Sequence, residues 1–410
     1  MRKLSYPALA LSSLLTTTSP AYAITADELA EQFEAYKVQQ AEEFNKLRQE
    51  NEQLKSTNSA LKQQLDNTSQ QVENNTLAVE VISDEVESTE ASTGSNWYDR
   101  TTIGGYGELH YGNYDSSDPG QQVDVVDFHR FVLFFGHEFT DNLRFFSEIE
   151  LEHAITGDGW AGEVELEQAY IEYDITEQAS AKAGLYLVPI GIMNETHEPP
   201  TFYGVERNDV EKYIIPSTWW EAGLGARYHF DNGIGIQAGV TSGLNAANGY
   251  IRGARGKLSK QLVKSGAVYG GLKYTGLAGL ELAANFNYQM DMDQGVGHTM
   301  GGGVLSEFHA IYSHALGPGT AMAKALYSRW DISKSAYSGA GTQYGWYIEP
   351  SYRIPTFLGD VGAYGRYQQL AYYKNSKRTF GKWELGLNYW PHENVVVKFD
   401  YFEKNPTDGS

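Results

Sequence analysis

The charged side chains most able to act on a solute are gathered in one stretch. Between Ile190 and Glu221 the chain reads IGIMNETHEPPTFYGVERNDVEKYIIPSTWWE. Glu195, Glu198, Glu206, Asp209 and Glu211 alternate there with Arg207 and Lys212, and Phe202, Tyr203 and Tyr213 lie among them. Mixed charge beside aromatic rings suits the steering of small ions and polar solutes better than bond-making chemistry. No catalytic constellation is legible, and the chain is not expected to be an enzyme. His197-Glu198 lacks the two-histidine helical spacing of a zinc hydrolase and precedes two prolines. Asp291-x-Asp293-x-Gly295 begins like a calcium loop, but the residue where the closing carboxylate belongs is Gly302. The acids Glu148, Glu150 and Glu152 resemble a general acid and base, yet carboxylates lining a wet wall explain them more simply. No metal ion and no cofactor is therefore expected.

The surrounding sequence says what must hold that stretch. On both sides apolar and polar residues alternate. Leu282, Ala284, Phe286, Tyr288 and Met290 alternate with Ala283, Asn285, Asn287 and Gln289, and Trp383, Leu385, Leu387 and Tyr389 with Lys382, Glu384 and Asn388. A period of two is that of β-strands, and charges on one face with aromatics on the other suit a wall between lipid and water. The runs predict about 15 strands in a transmembrane barrel, joined alternately by short turns such as Thr140-Asp141-Asn142 and Asp231-Asn232-Gly233 and by longer loops. Single-chain bacterial barrels have even strand numbers. The expectation is thus about 16 antiparallel strands, with the last apparently missing from this chain. Inside the 190–221 stretch the alternation stops. Pro199 and Pro200 lack the N–H that strand pairing needs. A long irregular segment within a series of strands is usually functional, and this one is expected to fold into the barrel mouth and narrow the pore. The constriction would carry Glu195, Glu198, Glu206, Arg207, Asp209, Glu211 and Lys212.

Composition agrees. The 410 residues include no cysteine, 29 tyrosines and 43 glycines, with a net charge of −21. The acidity argues against nucleic-acid binding, which needs a basic face. No run long enough for a helical membrane span follows the N-terminus. Residues 1–23 read as a signal peptide, with Arg2 and Lys3, an apolar centre and Ala21-Tyr22-Ala23. Residues 24–90 read as a periplasmic helical coiled coil: Phe44, Leu47, Leu54, Leu61, Leu65, Val72 and Val79 fall on a heptad seam that also holds Asn51 and Asn58. Residues 91–96 are a linker, and 97–410 the barrel domain. Two basic segments are expected outside the pore, Arg252, Arg255, Lys257, Lys260 and Lys264, and Lys374, Lys377, Arg378 and Lys382. They would capture anions or bind neighbouring lipopolysaccharide.

With those residues in hand the chain resembles the phosphate-selective porin O and P family of Gram-negative outer-membrane porins. The opening strand GGYGELHYG (Gly104 to Gly112) and AGLYLVPIGIMNETHEPPTFYGVER (Ala183 to Arg207) carry the resemblance. It implies a homotrimer of barrels, each pore narrowed by an infolded loop and lined by cations. The candidates are Arg130, Arg144, Lys182, Arg227, Lys273, Arg353, Arg366, Lys382 and Lys398, with Glu148 and further acids on the same face. The expected function is passive diffusion of small hydrophilic or ionic solutes, anions such as phosphate among them. The alternative is a structural or adhesive barrel plugged by its loop and tethered through its helix.

The heptad seam generates a direct test. A peptide spanning residues 24–90 should self-associate in sedimentation, and a strictly monomeric segment at high concentration would count against the coiled coil.

Overall fold

The computed structural model describes residues 96–114 and 123–406, with scattered helical residues between 34 and 62. The expected leader, nearly all of the 24–90 segment and residues 91–95 lie outside the described residues. Met1–Ser95 forms a unit separate from Asn96–Ser410. Within it Lys37 pairs with Glu34 at 2.6 Å and Lys55 with Glu52 at 3.0 Å, the three-residue spacing of a helical turn.

The second unit is a meander. Its strands are β1 (Thr101–Tyr114), β2 (Val123–Thr140), β3 (Leu143–Glu152), β6 (Val164–Asp174), β7 (Ala179–Leu187), β8 (Trp220–His229) and β9 (Ile234–Thr241). There follow β10 (Ala267–Tyr274), β11 (Leu280–Gln289), β12 (Gly303–Leu316), β13 (Gly319–Ile332), β14 (Thr342–Thr356), β15 (Gly359–Lys374), β16 (Ser376–His392) and β17 (Val395–Pro406). The two-residue strands β4 (Thr156–Gly157) and β5 (Trp160–Ala161) make a small hairpin apart from the sheet. The other strands pair in sequence order into one 15-stranded sheet. The sheet is not closed. β1 and β17 pair on one side only among the described residues, although Tyr114 and Phe402 bring their rings to 6.4 Å across the seam. The expectation was a barrel of about 16 strands with the last apparently missing from this chain; the described residues form 15 paired strands, and the sheet is left unclosed.

Two faces of unlike chemistry explain the sheet. Ile103, Leu133, Ile149, Leu224, Leu272, Phe308, Ile348, Leu385 and Phe399 are exposed on the outside. So continuous an apolar surface is untenable in water and suits lipid. On the inner face the register sets acids opposite bases: Glu108 faces Arg130, Arg144 faces Glu172, Lys324 faces Glu349, and Arg366 faces Glu384. Directly opposed charges attract across strands, so these pairs also resist a slip of register. β15 and β16 run into one another through Asn375, whose φ of 62° permits a tight turn. That hairpin places Lys374 and Lys377 at its tip and leaves Lys382 buried on the inner face rather than in an outer cluster.

Leu133 lies near the middle of β2 and points outward. Leu133→Arg should cost about 2–4 kcal/mol, the penalty for a cation at the bilayer midplane, read from urea unfolding in vesicles. An unchanged midpoint would mean that this face does not meet lipid.

Candidate pore site

Residues 188–219, between β7 and β8, lie inside the curl of the sheet. Three physical reasons hold them there. The first is a neck. The Asn194 side chain donates to the carbonyls of Val188 and Trp219 at 2.6 and 3.0 Å and accepts from the Trp219 N–H at 2.7 Å, so one amide joins both ends of the loop. The second is apolar burial. Ile190, Val210, Ile214, Ile215 and Trp219 are buried against Leu305, Leu326, Trp330, Tyr347 and Leu370 of the inner wall. Apolar groups on an inner face otherwise built for water require such a cover.

The third is the Glu211 carboxylate, on a helical turn at Val210–Tyr213. Its Oε2 accepts from the N–H groups of Ile192 and Met193, each at 2.7 Å. Its Oε1 accepts from Asn208 at 3.2 Å and from the Tyr347 hydroxyl of β14 at 2.7 Å. Burial holds this carboxyl above its ordinary range, although the donors at Met193, Tyr347 and Asn208 pull it down. Gly191, at φ +87°, makes room for it, since a Cβ there would meet Glu211 Oε2 at 2.6 Å.

From the neck the loop crosses to the far wall. Tyr203 O accepts from Arg366 of β15 at 3.1 Å, Gly204 O from Lys398 of β17 at 2.9 Å, and the Val205 N–H donates to Asp400 at 2.7 Å. Asp209 N–H donates to Gln368 at 2.8 Å, and Trp330 donates to the Ile214 carbonyl at 2.9 Å. A second loop braces the first. Arg252 donates to the carbonyls of Lys212 and Ser217, and Arg255 to that of Thr218. Both arginines were expected in an outer capture cluster. They instead satisfy backbone carbonyls that the turns at the loop's end leave without strand partners.

The residues expected at the constriction separate by role. Glu211 is a buried anchor with no solvent face. Glu195 is exposed and lies 3.7 Å from Lys182, and Asp209 is 3.9 Å from Lys382. Glu198 is half-buried at the start of the Pro199–Thr201 turn. Glu206 faces the lumen 3.2 Å from His110. Burial alone would raise its carboxyl, but the His110 hydrogen bond and the Lys212 charge hold it well below the usual range. Arg207 and Lys212 form no ion pair among the described residues, and one Arg207 terminal nitrogen is buried without a partner. Burial lowers both groups, Arg207 further through Arg130 and Lys212 through Arg252.

Among the described residues the expected wall cations, by contrast, pair with carboxylates, Lys398 excepted. Arg130 reaches Glu108 at 3.1 Å and Glu150 at 3.3 Å. Arg144 binds Asp174 at 2.5 Å and Glu172 at 3.1 Å, and Arg227 binds Glu172 at 2.7 Å. Lys273 pairs with Glu281 at 3.3 Å, Arg353 with Asp360 at 2.8 Å, and Lys382 with Glu384 at 3.2 Å. Arg366 is clamped between Glu349 at 2.7 Å and Glu384 at 3.0 Å. Lys398 sits 3.6 Å over the Phe202 ring, and Glu148 is buried against His197 at 3.2 Å. One cavity in the lumen is lined by Arg130, Arg207, Lys212 and Arg252 together with His110 and His129, against Glu108, Glu152 and Glu206. Its four permanent cations exceed its three carboxylates. Sequence reasoning missed Arg252, His110 and His129 at this place. The apolar inner positions Leu305, Leu326, Trp330 and Leu370 were the available signal that something covers that wall.

Glu211→Ala removes the acceptor of four donors, and each buried donor left unmet costs about 1–3 kcal/mol. The variant should keep its sheet by circular dichroism while its loop becomes cleavable by protease added to the folded protein. A loop as resistant as the parent's would show that the carboxylate does not hold it.

Residues 102–409 match the family model described as phosphate-selective porin O and P. An uncharacterized protein of Aquifex aeolicus (strain VF5) is 31% identical over 337 residues, 75% of this chain and 76% of that one. Among solved structures, the anion-selective porin from Comamonas acidovorans is 10% identical, covering 74% of this chain and 90% of its own, with a TM-score of 0.47. The outer membrane channel DcaP of Acinetobacter baumannii is 12% identical, covering 75% and 91%, also with a TM-score of 0.47. With its sheet, its outward apolar face and a family match over three quarters of its length, the chain belongs to the phosphate-selective porin O and P family, whose members are outer-membrane channels for small solutes.

Proposed function

We propose that this channel passes small hydrophilic solutes and that its narrowest region, set by the infolded loop, prefers small anions of phosphate size. The observation that carries the reading is the set Arg207, Lys212 and Arg252, three lumen cations with no carboxylate partner among the described residues. Burial disfavours their charge, so an anion entering the cavity relieves a cost already present. The wall cations other than Lys398 give no such preference, because acids beside them match their charge. In this reading Glu195, Glu198 and Asp209 border the passage, Glu206 tempers the cationic set, and Glu211 holds the frame. The chain works in the outer membrane of a Gram-negative cell as a homotrimer, with residues 1–23 removed on export and the helical segment 24–90 in the periplasm. Neighbouring lipid and lipopolysaccharide surround the barrel.

The apolar cluster under the loop occupies part of the lumen, and it favours a second reading, a plugged structural barrel. Single-channel conductance in planar bilayers separates the two. At 0.15 M salt screening acts over about 8 Å, so only charges at the narrow point govern a passing ion. Replacing Arg207 and Lys212 with Gln should move the reversal potential toward cations, and Arg252→Gln should do the same at moderate salt. Changing the exposed Lys260 and Lys264 should act only at low salt. A reversal potential that follows Lys260 and Lys264 but ignores the loop would place selectivity outside it, and a wild type without conductance would leave the plugged barrel standing.

A further inference from the structure

The root of the infolded loop holds a group of side chains that solute passage does not use. His197 of the loop, Glu148 of β3 and Glu167 of β6 meet there, with side chains 2%, 1% and 1% exposed. His197 Nδ1 lies 3.2 Å from the Asn194 carbonyl oxygen, where an N–H is donated. That orientation aims Nε2 at the two carboxylates, 3.2 Å from Glu148 Oε1 and 3.6 Å from Glu167 Oε2. The other carboxylate oxygens are already occupied. Gln168 donates to Glu148 Oε2 at 2.7 Å, and Thr218 donates to Glu167 Oε1 at 2.9 Å. One atom of each residue is therefore left facing a common centre, all within 4.8 Å of one another. Outer contacts of this kind are what orient metal ligands.

Charge makes the need explicit. Glu167 Oε2 is buried and has no hydrogen-bond partner, while the adjacent, equally buried Glu150 has Arg130 at 3.3 Å from its Oε1. A protonated His197 has one Nε2 proton for two carboxylates, so it leaves one of them unmatched. A dication satisfies both. The spacing also fits: zinc with ligand bonds of about 2.1 Å places tetrahedral ligands about 3.4 Å apart, between the two distances at Nε2.

We propose that His197, Glu148 and Glu167 form a site for a divalent first-row cation, zinc being the best match, which staples the loop root to β3 and β6. No sequence spacing announces it, because the three ligands come from three elements. The proposal departs from the sequence-based expectation that no metal is bound.

The test uses the full chain folded in detergent, stripped with chelator and titrated with zinc chloride. Calorimetry, and metal analysis after desalting, should find a single zinc per chain. His197→Gln and Glu167→Gln should each weaken binding by more than about tenfold, the lower limit for changing even an outer contact. His153→Ala, at the partly exposed Asp127–His129–His153 group, should leave it unchanged. Heat-dependent gel migration establishes that each variant is folded, and cobalt added to the wild type needs no variant, since it should develop visible d–d absorption. A wild type that binds neither zinc nor cobalt overturns the proposal, and so does a folded Glu167→Gln variant that binds zinc as tightly as the parent. Neither result bears on ion preference, which the reversal potential decides separately.

Discussion

A segment that enters the lumen of a sheet must find partners there for each polar group it brings, and the Glu211 carboxylate is where most of that demand is met. It gathers two backbone N–H groups from the start of the loop, one side-chain amide and one wall hydroxyl. An acceptor with two oxygens and several lone-pair sites is suited to this, because a neutral side chain has fewer. Once Glu211 is placed, the short helical turn directs Ile214 and Ile215 into the wall cluster and leaves Lys212 half-buried at the lining of the cavity, where Arg207 also lies. The path of the loop, the position of its charges and the shape of the cavity beside it all follow from that one buried anion.

The distribution of charge gains its meaning from this scaffold. The chain is acidic overall, and a count of the 190–221 stretch favours acids. Yet the acids are consumed by structure: Glu211 by four donors, Glu206 by His110, and the wall carboxylates by the arginines and lysines across the strands. Arg207, Lys212 and Arg252 have no carboxylate partner among the described residues, although Arg252 also braces backbone carbonyls. Net charge thus misleads about ion preference, since a passing ion meets only the charges that the fold leaves unmatched. Aromatic and apolar side chains do the remaining work of closing space: Trp219 lies against Trp330 at 6.3 Å, and Tyr213 stacks on Tyr372 at 4.5 Å.

Much of the fold was legible in the sequence. Period-two alternation located all fifteen strands of the sheet to within a few residues, because each strand meets lipid on one side and water or loop on the other. The loop was legible as an interruption, through Pro199, Pro200 and the loss of alternation. Its interior was not. Glu211 reads as one more pore acid until Tyr347, 136 residues away, is seen to donate to it. Arg252 reads as an outer base until it is seen to brace Ser217. His197 is separated from Glu148 by 49 residues, and a ligand set spread over a loop and two strands has no spacing to recognise. Local pattern reports which face a residue occupies; partners brought together from distant segments remain invisible to it.

The central claim is that the loop's unmatched cations face the permeation path. It is tested most directly by thiol labelling, which the absence of cysteine from the native chain makes unambiguous. Arg207→Cys channels in a planar bilayer would be exposed to a small sulfonate-bearing thiol reagent while current is recorded. The account predicts a stepwise fall in current and a shift of reversal potential toward cations as each site reacts, with no response from the wild type. Complete labelling of Arg207→Cys, verified by mass, with neither current nor reversal potential altered would contradict it.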